Sequence, residues 1–248
     1  MVVGLSGMGK TTCLVNICYQ LKEQGTIPIV FSYHQDIDDR LEKLFGTVRF
    51  VDYDGQGYNP LSIGTGMTKR SYLDVAGELR DIFQAIFPDL GDLQREAIRS
   101  VIKESFEELG WQSAYRASKE RPIPPFGRFV EILKGDPGKG RERKNLLAPL
   151  QELEDYGLFK EGPPRGSLWD SQDPVIIRIH STQNDNLQRA FASLLFYGLY
   201  KEMFYRRPQD RLSHFILFDE AHRAARLKLI PTRAQECRKY GIVLILAS

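Results

Sequence analysis

The feature that most constrains this chain is a glycine-rich segment near its start that ends in Gly-Lys-Thr. Residues 4–11 read Gly-Leu-Ser-Gly-Met-Gly-Lys-Thr and fit the pattern G-x-x-x-x-G-K-[ST] of a phosphate-binding loop. Val2 and Val3 before it resemble the end of a buried strand, and residues 12–24 have the apolar spacing of a helix. A strand, a glycine-rich loop and a helix in this order predict a nucleotide-phosphate site in an α/β fold.

The chemistry of this loop predicts ATP and Mg²⁺ as cofactors. Glycines let backbone N–H groups turn toward phosphate oxygens, and the start of the helix adds partial positive charge. Lys10 supplies a point charge to the β- and γ-phosphates, and the Thr11 hydroxyl is a ligand for Mg²⁺. The predicted nucleotide-binding residues are Gly4, Gly7, Met8, Gly9, Lys10, Thr11 and Thr12. An ordinary glycine-rich turn before a helix is the alternative.

A second motif near the other end of the chain supplies two acids. Four apolar residues, Phe215 to Phe218, are followed by Asp219 and Glu220. A buried parallel strand that ends in two acids brings both carboxylates to the carboxyl edge of the sheet, where ligands bind. We therefore predict that Asp219 holds Mg²⁺ through water and that Glu220 orients or deprotonates the attacking water. Together with the loop, this pair favours an ATPase over a passive nucleotide binder.

The remaining hydrophobic pattern predicts the fold class and the domains. Apolar runs at 27–33, 48–53, 174–180 and 240–247 predict further strands, whereas residues 71–159 show apolar repeats at helical spacing only. We predict an α/β fold: a RecA-like P-loop NTPase core with a parallel sheet, formed by residues 1–66 and 171–248, and an all-helical insertion at 67–170. Because the chain starts and ends within apparent core strands, we expect a segment of a longer protein, truncated at both ends.

The composition and charge of the chain limit which partners it can bind and which cellular compartment it can occupy. The 248 residues contain 34 Lys and Arg against 32 Asp and Glu, a net charge of +2. A chain so nearly neutral is not coated with basic residues, so nucleic acid would have to bind a localised patch. No apolar stretch reaches the length of a membrane span and no signal segment precedes the loop. We therefore expect a cytoplasmic protein with no membrane partner.

Three other features have a plain interpretation beside a functional one. Cys13, Cys18 and Cys237 lack zinc-type spacing and are predicted to be buried free thiols. The acids that follow the strand at 27–33 are predicted to lie at the exposed start of a helix, with an acid near Mg²⁺ as the alternative. The basic segment 134–144 is predicted to be a solvated loop, with contact to a nucleic-acid backbone as the alternative.

The chain also resembles a known family in its last third. The segment Phe218-Asp-Glu-Ala-His-Arg223 and the segment Arg238-Lys-Tyr-Gly241 before an apolar strand are similar to the HerA/FtsK superfamily of P-loop ATPases, the HerA-like branch in particular. Asn59-Pro60-Leu61 and the helical insertion are similar as well. One departure is the segment after the second strand, where the family often has Asp-Pro-His-Gly-Glu and this chain has Ser32-Tyr33-His34-Gln35-Asp36.

This resemblance implies a function. Family members are ring-forming motors, usually homo-hexamers, that translocate on or unwind double-stranded DNA, and a nuclease or another effector is the implied partner in DNA processing or phage defence. It implies that Lys10 and Thr11 bind ATP and Mg²⁺, that Asp219 and Glu220 are the metal-holding and catalytic acids, and that Arg238 is an arginine finger offered to the neighbouring subunit. The predicted catalytic residues are thus Lys10, Glu220 and Arg238.

Two other functions fit parts of the sequence. The string Asp219-Glu-Ala-His222 also occurs in DEAH-type helicases of superfamily 2, although far more chain separates Lys10 from Asp219 here than is usual in those enzymes. A nucleotide-dependent switch or scaffold, in which ATP binding drives assembly and turnover is incidental, is the third possibility. Replacing Glu220 discriminates between a motor and a switch.

Overall fold

The computed structural model describes residues 9–54, 59–62, 71–112, 122–135, 141–158, 166–204, 206–220, 223 and 236–247, with only the backbone at 141–144. The chain divides into two compact units. The first comprises Met1–Tyr53 and Gly166–Ser248, and the second comprises Asp54–Arg165. The units therefore change near residues 53 and 165, whereas the sequence prediction places the changes near residues 66 and 170. The predicted strand at Val2 and Val3 lies outside the described residues.

The described part of the first unit contains a sheet of five strands, all of them parallel. The strands are β1 (Ile27–Ser32), β2 (Arg49–Val51), β3 (Val175–Arg178), β4 (His214–Phe218) and β5 (Ile242–Leu246), in the spatial order β2-β3-β1-β4-β5. The predicted α/β fold with a parallel sheet is confirmed. The continuous apolar runs of β1 and β4 are explained by their central, buried positions. The predicted strand at 174–180 ends earlier, because Ile179–Ser181 forms a 3₁₀ turn.

Seven α-helices accompany the sheet within the described ranges. They are α1 (Lys10–Glu23), α2 (Gln35–Phe45), α3 (Tyr72–Ile86), α4 (Asp92–Glu107), α5 (Phe126–Gly135), α6 (Arg141–Asp155) and α7 (Asp185–Met203). No helix among the described residues is long and apolar enough to cross a membrane.

Helices of the first unit pack on both faces of its sheet. Leu14 of α1 and Ile37 of α2 share one buried cluster with Val30 of β1. The next residue of β1, Phe31, instead contacts the ring of Phe196 in α7. Because successive side chains of a strand point to opposite faces, Val30 and Phe31 belong to different layers. The sheet is thus sandwiched between α1 and α2 on one side and α7 on the other.

The second unit is helical in every described element, α3 to α6. A capping box begins α3: the Ser71 hydroxyl accepts a hydrogen bond from the backbone of Leu73, and the Asp74 carboxylate accepts one from the Ser71 N–H. Stacked and tilted aromatic rings fill its interior, with Phe83 of α3 packing on Phe129 of α5. These contacts bury the apolar faces that the helical spacing of the sequence predicts.

The sequence predictions for the cysteines and for the basic segment 134–144 need correction. Cys18 and Cys237 are buried free thiols as predicted, but Cys13 is exposed. Cys13 directly precedes the buried Leu14, and adjacent helical residues point about 100° apart, so Cys13 lies off the sheet-facing stripe of α1. The predicted basic loop is also shorter than expected, because α5 continues to Gly135 and α6 begins at Arg141. Residues 136–140 lie outside the described part.

A buried histidine at the amino edge of the sheet makes stability depend on pH. His214 begins β4, packs edge-on against the ring of Trp169 and has its Nδ1 atom 3.0 Å from the Ser213 hydroxyl. Burial, together with the positive charge of Arg206, lowers the pKa of His214 from 6.5 to about 4, although a backbone hydrogen bond with Trp169 opposes the shift.

We expect the free energy of unfolding to fall as the pH drops from 6.5 to 4, because the unfolded chain takes up a proton at His214 before the folded chain does. The loss from this group is about 3 kcal/mol over that window. Denaturant unfolding of the wild type and of His214→Leu at pH 7 and pH 4.5 measures it. The variant should lose less stability than the wild type on acidification, and equal losses would contradict the assignment to His214.

Candidate nucleotide-binding site

The amino end of α1 has the conformation and the free donors of an anion site. Gly9 is the N-cap residue and adopts a left-handed backbone conformation with φ 77°, which glycine tolerates best. Among the described residues, no side chain caps the N–H groups of its first turn, Lys10 to Thr12. Such N–H groups have no acceptor within the helix and can bind phosphate. Gly4, Gly7 and Met8 lie outside the described residues.

The two predicted acids lie at the carboxyl edge of the sheet, in the turn that follows β4. The Asp219 N–H donates to the carbonyl oxygen of Phe31 at 3.2 Å and so extends the pairing of β4 with β1. Glu220 has φ 59°, the one left-handed conformation among the non-glycine residues that the structure describes. Such a conformation costs about 1 kcal/mol or more and persists where surrounding contacts impose it. The turn therefore fixes the backbone from which the Glu220 side chain extends.

The surroundings of Asp219 bring Lys10 and both acids into one electrostatic group. Burial raises the pKa of Asp219, His34 opposes that rise, and the negative charge of Glu220 adds to it. The N–H of Glu220 and the charge of Lys10 also lower the pKa. A carboxylate that burial deprives of water gains strongly from a nearby cation. Asp219 is thus suited to hold a positively charged group at this edge.

His34 is a residue at this site whose importance the sequence analysis missed. It is the N-cap residue of α2, two residues after the end of β1, and its Nε2 atom lies 3.7 Å from Oε1 of Glu220. The parallel pairing of β1 with β4 explains the contact, because the residues after both strands emerge at the same edge. The available signal was the position of His34 immediately after an apolar run.

A second missed contact links α1 to α2. Nη1 of Arg40 donates to the Thr12 hydroxyl at 3.1 Å, while Nε of the same guanidinium pairs with Asp36 at 3.0 Å. Asp36 is therefore the ion-pair partner of Arg40 in the exposed first turn of α2. The Thr12 side chain, predicted to bind nucleotide, is already engaged by Arg40 in this structure.

Arg223 holds the acidic turn from the other side. Its N–H donates to the carbonyl oxygen of Glu220 at 2.9 Å, and its Nη1 donates to Oε1 of Gln188 in α7 at 3.0 Å. The same guanidinium lies 5.6 Å from the centre of the Tyr33 ring. The backbone around Glu220 is thereby connected to both α7 and the residue preceding His34.

Arg238 lies far from these acids in its own chain. It is exposed and begins the 3₁₀ turn Arg238–Tyr240, before β5, at the amino edge of the sheet. The acids follow β4 at the carboxyl edge, and a five-residue strand such as β4 spans about 16 Å. Gly241 closes the turn with φ 69°, and a Cβ atom there would overlap the carbonyl oxygen of Arg211. The structure therefore does not bring Arg238 to the acids of its own chain.

Comparison with known proteins identifies the fold. No protein-family model and no curated protein matches the sequence. VirB4 of Thermoanaerobacter pseudethanolicus is similar over 100% of this chain and 68% of its own, with 19% identity and a TM-score of 0.77. The unbound bacterial conjugative coupling protein TrwB is similar over 100% of this chain and 62% of its own, with 15% identity and a TM-score of 0.62.

The plasmid coupling protein TrwB in complex with ADP and Mg²⁺ is similar as well. It matches 99% of this chain and 62% of its own, with 15% identity and a TM-score of 0.59. The chain thus spans about two thirds of the length of the solved proteins it matches. At these identities the similarity establishes a shared P-loop NTPase fold.

Proposed function

We propose that this chain is the ATP-hydrolysing core of an oligomeric motor of the HerA/FtsK superfamily that works on double-stranded DNA. The observation that carries this proposal is the position of Asp219 and Glu220 directly after β4, at the carboxyl edge of the parallel sheet, where Lys10 at the start of α1 interacts with Asp219. The fold shared with TrwB, which was solved with ADP and Mg²⁺ and is described as a plasmid coupling protein, supports the nucleotide and the DNA. The segments 218–223 and 238–241 support a HerA-like member, whereas the fold supports the superfamily as a whole.

The residues at the start of α1 and those after β4 have different roles in ATP hydrolysis. The N–H groups of the first turn and the ammonium of Lys10 bind the β- and γ-phosphates. Thr11 and Asp219 fit a bound Mg²⁺, since they offer a hydroxyl and a buried carboxylate at the same edge, and the ion neutralises charge on the phosphate oxygens. Glu220 accepts the proton of the attacking water as the water oxygen bonds to the γ-phosphorus and the bond to ADP breaks.

Arg238 acts on the nucleotide of a neighbouring subunit. Its exposure and its place at the amino edge fit a residue that contributes between chains rather than within one. A guanidinium offered in this way stabilises the charge that develops on the transferred phosphoryl group. A homo-oligomer, a ring of six in the superfamily that this chain resembles, is therefore the form that we propose for the active motor.

Replacing Lys10 tests the nucleotide site. We expect Lys10→Ala to reduce the rate of ATP hydrolysis by at least about 100-fold and to weaken ATP binding, because the variant loses the point charge on the phosphates. Lys22→Ala is the matched control, since Lys22 lies in the last turn of the same helix and bonds the backbone of Gln172. Steady-state phosphate release and titration with a fluorescent ATP analogue measure both effects. Equal rates for the two variants would overturn the site.

A DNA titration separates the motor from the switch. We expect double-stranded DNA to raise the ATPase rate of the protein and to be retained by it in a filter-binding assay. Because protein binding releases counterions from the phosphates of double-stranded DNA, retention should fall steeply as the salt concentration rises. ATP hydrolysis with neither stimulation nor retention would instead favour the ATP-dependent switch.

A further inference from the structure

We propose that His34 is a positioning residue for ATP hydrolysis, which holds the carboxylate of Glu220 in the direction needed to activate water. The inference rests on the proposed function, because it assigns Glu220 as the base. It is based on the distance of 3.7 Å between Nε2 of His34 and Oε1 of Glu220, at the carboxyl edge of the sheet where β1 and β4 are neighbours.

The backbone of His34 is fixed, although its ring is exposed. The buried Ser32 hydroxyl donates to the His34 carbonyl oxygen at 3.0 Å, and the N–H of Ile37 donates to the same oxygen at 3.3 Å. The side chain of His34 is 60% exposed, whereas that of Glu220 is 23% exposed. The ring thus extends from a rigid turn toward a more enclosed carboxylate, and its removal takes nothing from the hydrophobic core.

The turn that carries His34 is tied to the phosphate-binding helix. Ile37 and Leu41 of α2 share a buried cluster with Leu14 and Cys18 of α1. Arg40, one and a half turns after His34, donates to the Thr12 hydroxyl in the first turn of α1. Packed side chains and one hydrogen bond therefore connect the start of α1 to the helix that His34 caps. Through these contacts, His34 can couple the position of the Glu220 carboxylate to the position of phosphates bound at the start of α1.

The contact from His34 acts on the side chain of Glu220, whereas the two restraints at the turn act on its backbone. Its left-handed conformation and the bond from the Arg223 N–H fix the backbone, but neither fixes the carboxylate. Misplacement of a reacting group by about 1 Å can cost about 100-fold in rate. The His34 ring at the start of α2 contacts the carboxylate, and the Arg223 N–H restrains the backbone that carries it.

Steady-state kinetics of His34→Ala test the proposal. We expect kcat to fall about 10- to 100-fold with an unchanged KM for ATP, because His34 contacts the acid and not the nucleotide. His34→Gln should restore most of the rate, since its amide retains an N–H donor for a carboxylate. Gln35→Ala, at the next and equally exposed position, is the control and should leave both parameters unchanged. The melting temperatures of all three variants should match the wild type.

Double variants and the wild type separate the possible failures. If His34 acts through Glu220, adding His34→Ala to Glu220→Gln should not lower the residual rate further. A wild-type rate no higher than that of Lys10→Ala would overturn the proposed function itself. A wild type that hydrolyses ATP, together with a His34→Ala variant of equal or greater kcat, would overturn only the role of His34. A raised KM with unchanged kcat would also overturn it.

Discussion

Glu220→Gln should reduce the rate of ATP hydrolysis by about 100- to 10,000-fold while leaving ATP binding intact. The substitution removes the proton acceptor and keeps the size of the side chain. Glutamine tolerates the left-handed backbone of residue 220 about as well as glutamate does, so the turn after β4 is preserved. The affinity for ATP should hold because Lys10 and the start of α1 are unchanged. Single-turnover hydrolysis and equilibrium binding of a fluorescent ATP analogue measure the two quantities separately.

Glu42→Gln is the matched control for this prediction. Glu42 is an exposed acid of α2, and its replacement by glutamine makes the same change of charge away from the turn after β4. The control should retain the wild-type rate. If Glu220→Gln still hydrolyses ATP, Glu220 is not the base. If the variant loses ATP binding, its effect on the rate is structural.

Elements with a strong local signal could be predicted from the sequence. The apolar runs of β1 and β4 and the helical spacing of α1 predict these elements to within a few residues of their observed ends. The carboxyl edge that carries Asp219 and Glu220 also follows from local pattern, since a parallel strand must end where its apolar run ends. A parallel sheet with buried central strands is therefore readable from the chain alone.

Contacts that depend on strand order could not be predicted in the same way. His34 meets Glu220 only because β1 is the neighbour of β4, and no spacing along the chain indicates which strands pair. The ion pair of Arg178 with Asp52 depends likewise on the pairing of β3 with β2. The exposure of Cys13 depends on the face of α1 that meets the sheet, and two cysteines in one helix carry no signal for it.

The largest expected loss of stability comes from the aromatic contacts beneath the acidic turn. Phe196 of α7 is buried, with its ring centre 5.4 Å from that of Phe218 and 6.4 Å from that of Phe31. Phe31 and Phe218 stack on neighbouring strands at 4.4 Å. The ring of Phe196 therefore packs against both central strands near their carboxyl ends, with Phe218 directly before Asp219 and Phe31 three residues before His34.

Phe196→Ala should lower the free energy of unfolding by about 3–5 kcal/mol, through lost transfer free energy and the cavity left between α7 and the sheet. Tyr19→Ala is the matched control, because it removes an aromatic ring that is 45% exposed on α1, and it should cost less than about 1 kcal/mol. Denaturant unfolding at pH 7 compares the two. Equal losses would mean that α7 does not support the central strands. A larger loss in Phe196→Ala should be accompanied by a reduced kcat at temperatures where the variant is still folded, since Phe218 carries the backbone of Asp219 and Glu220.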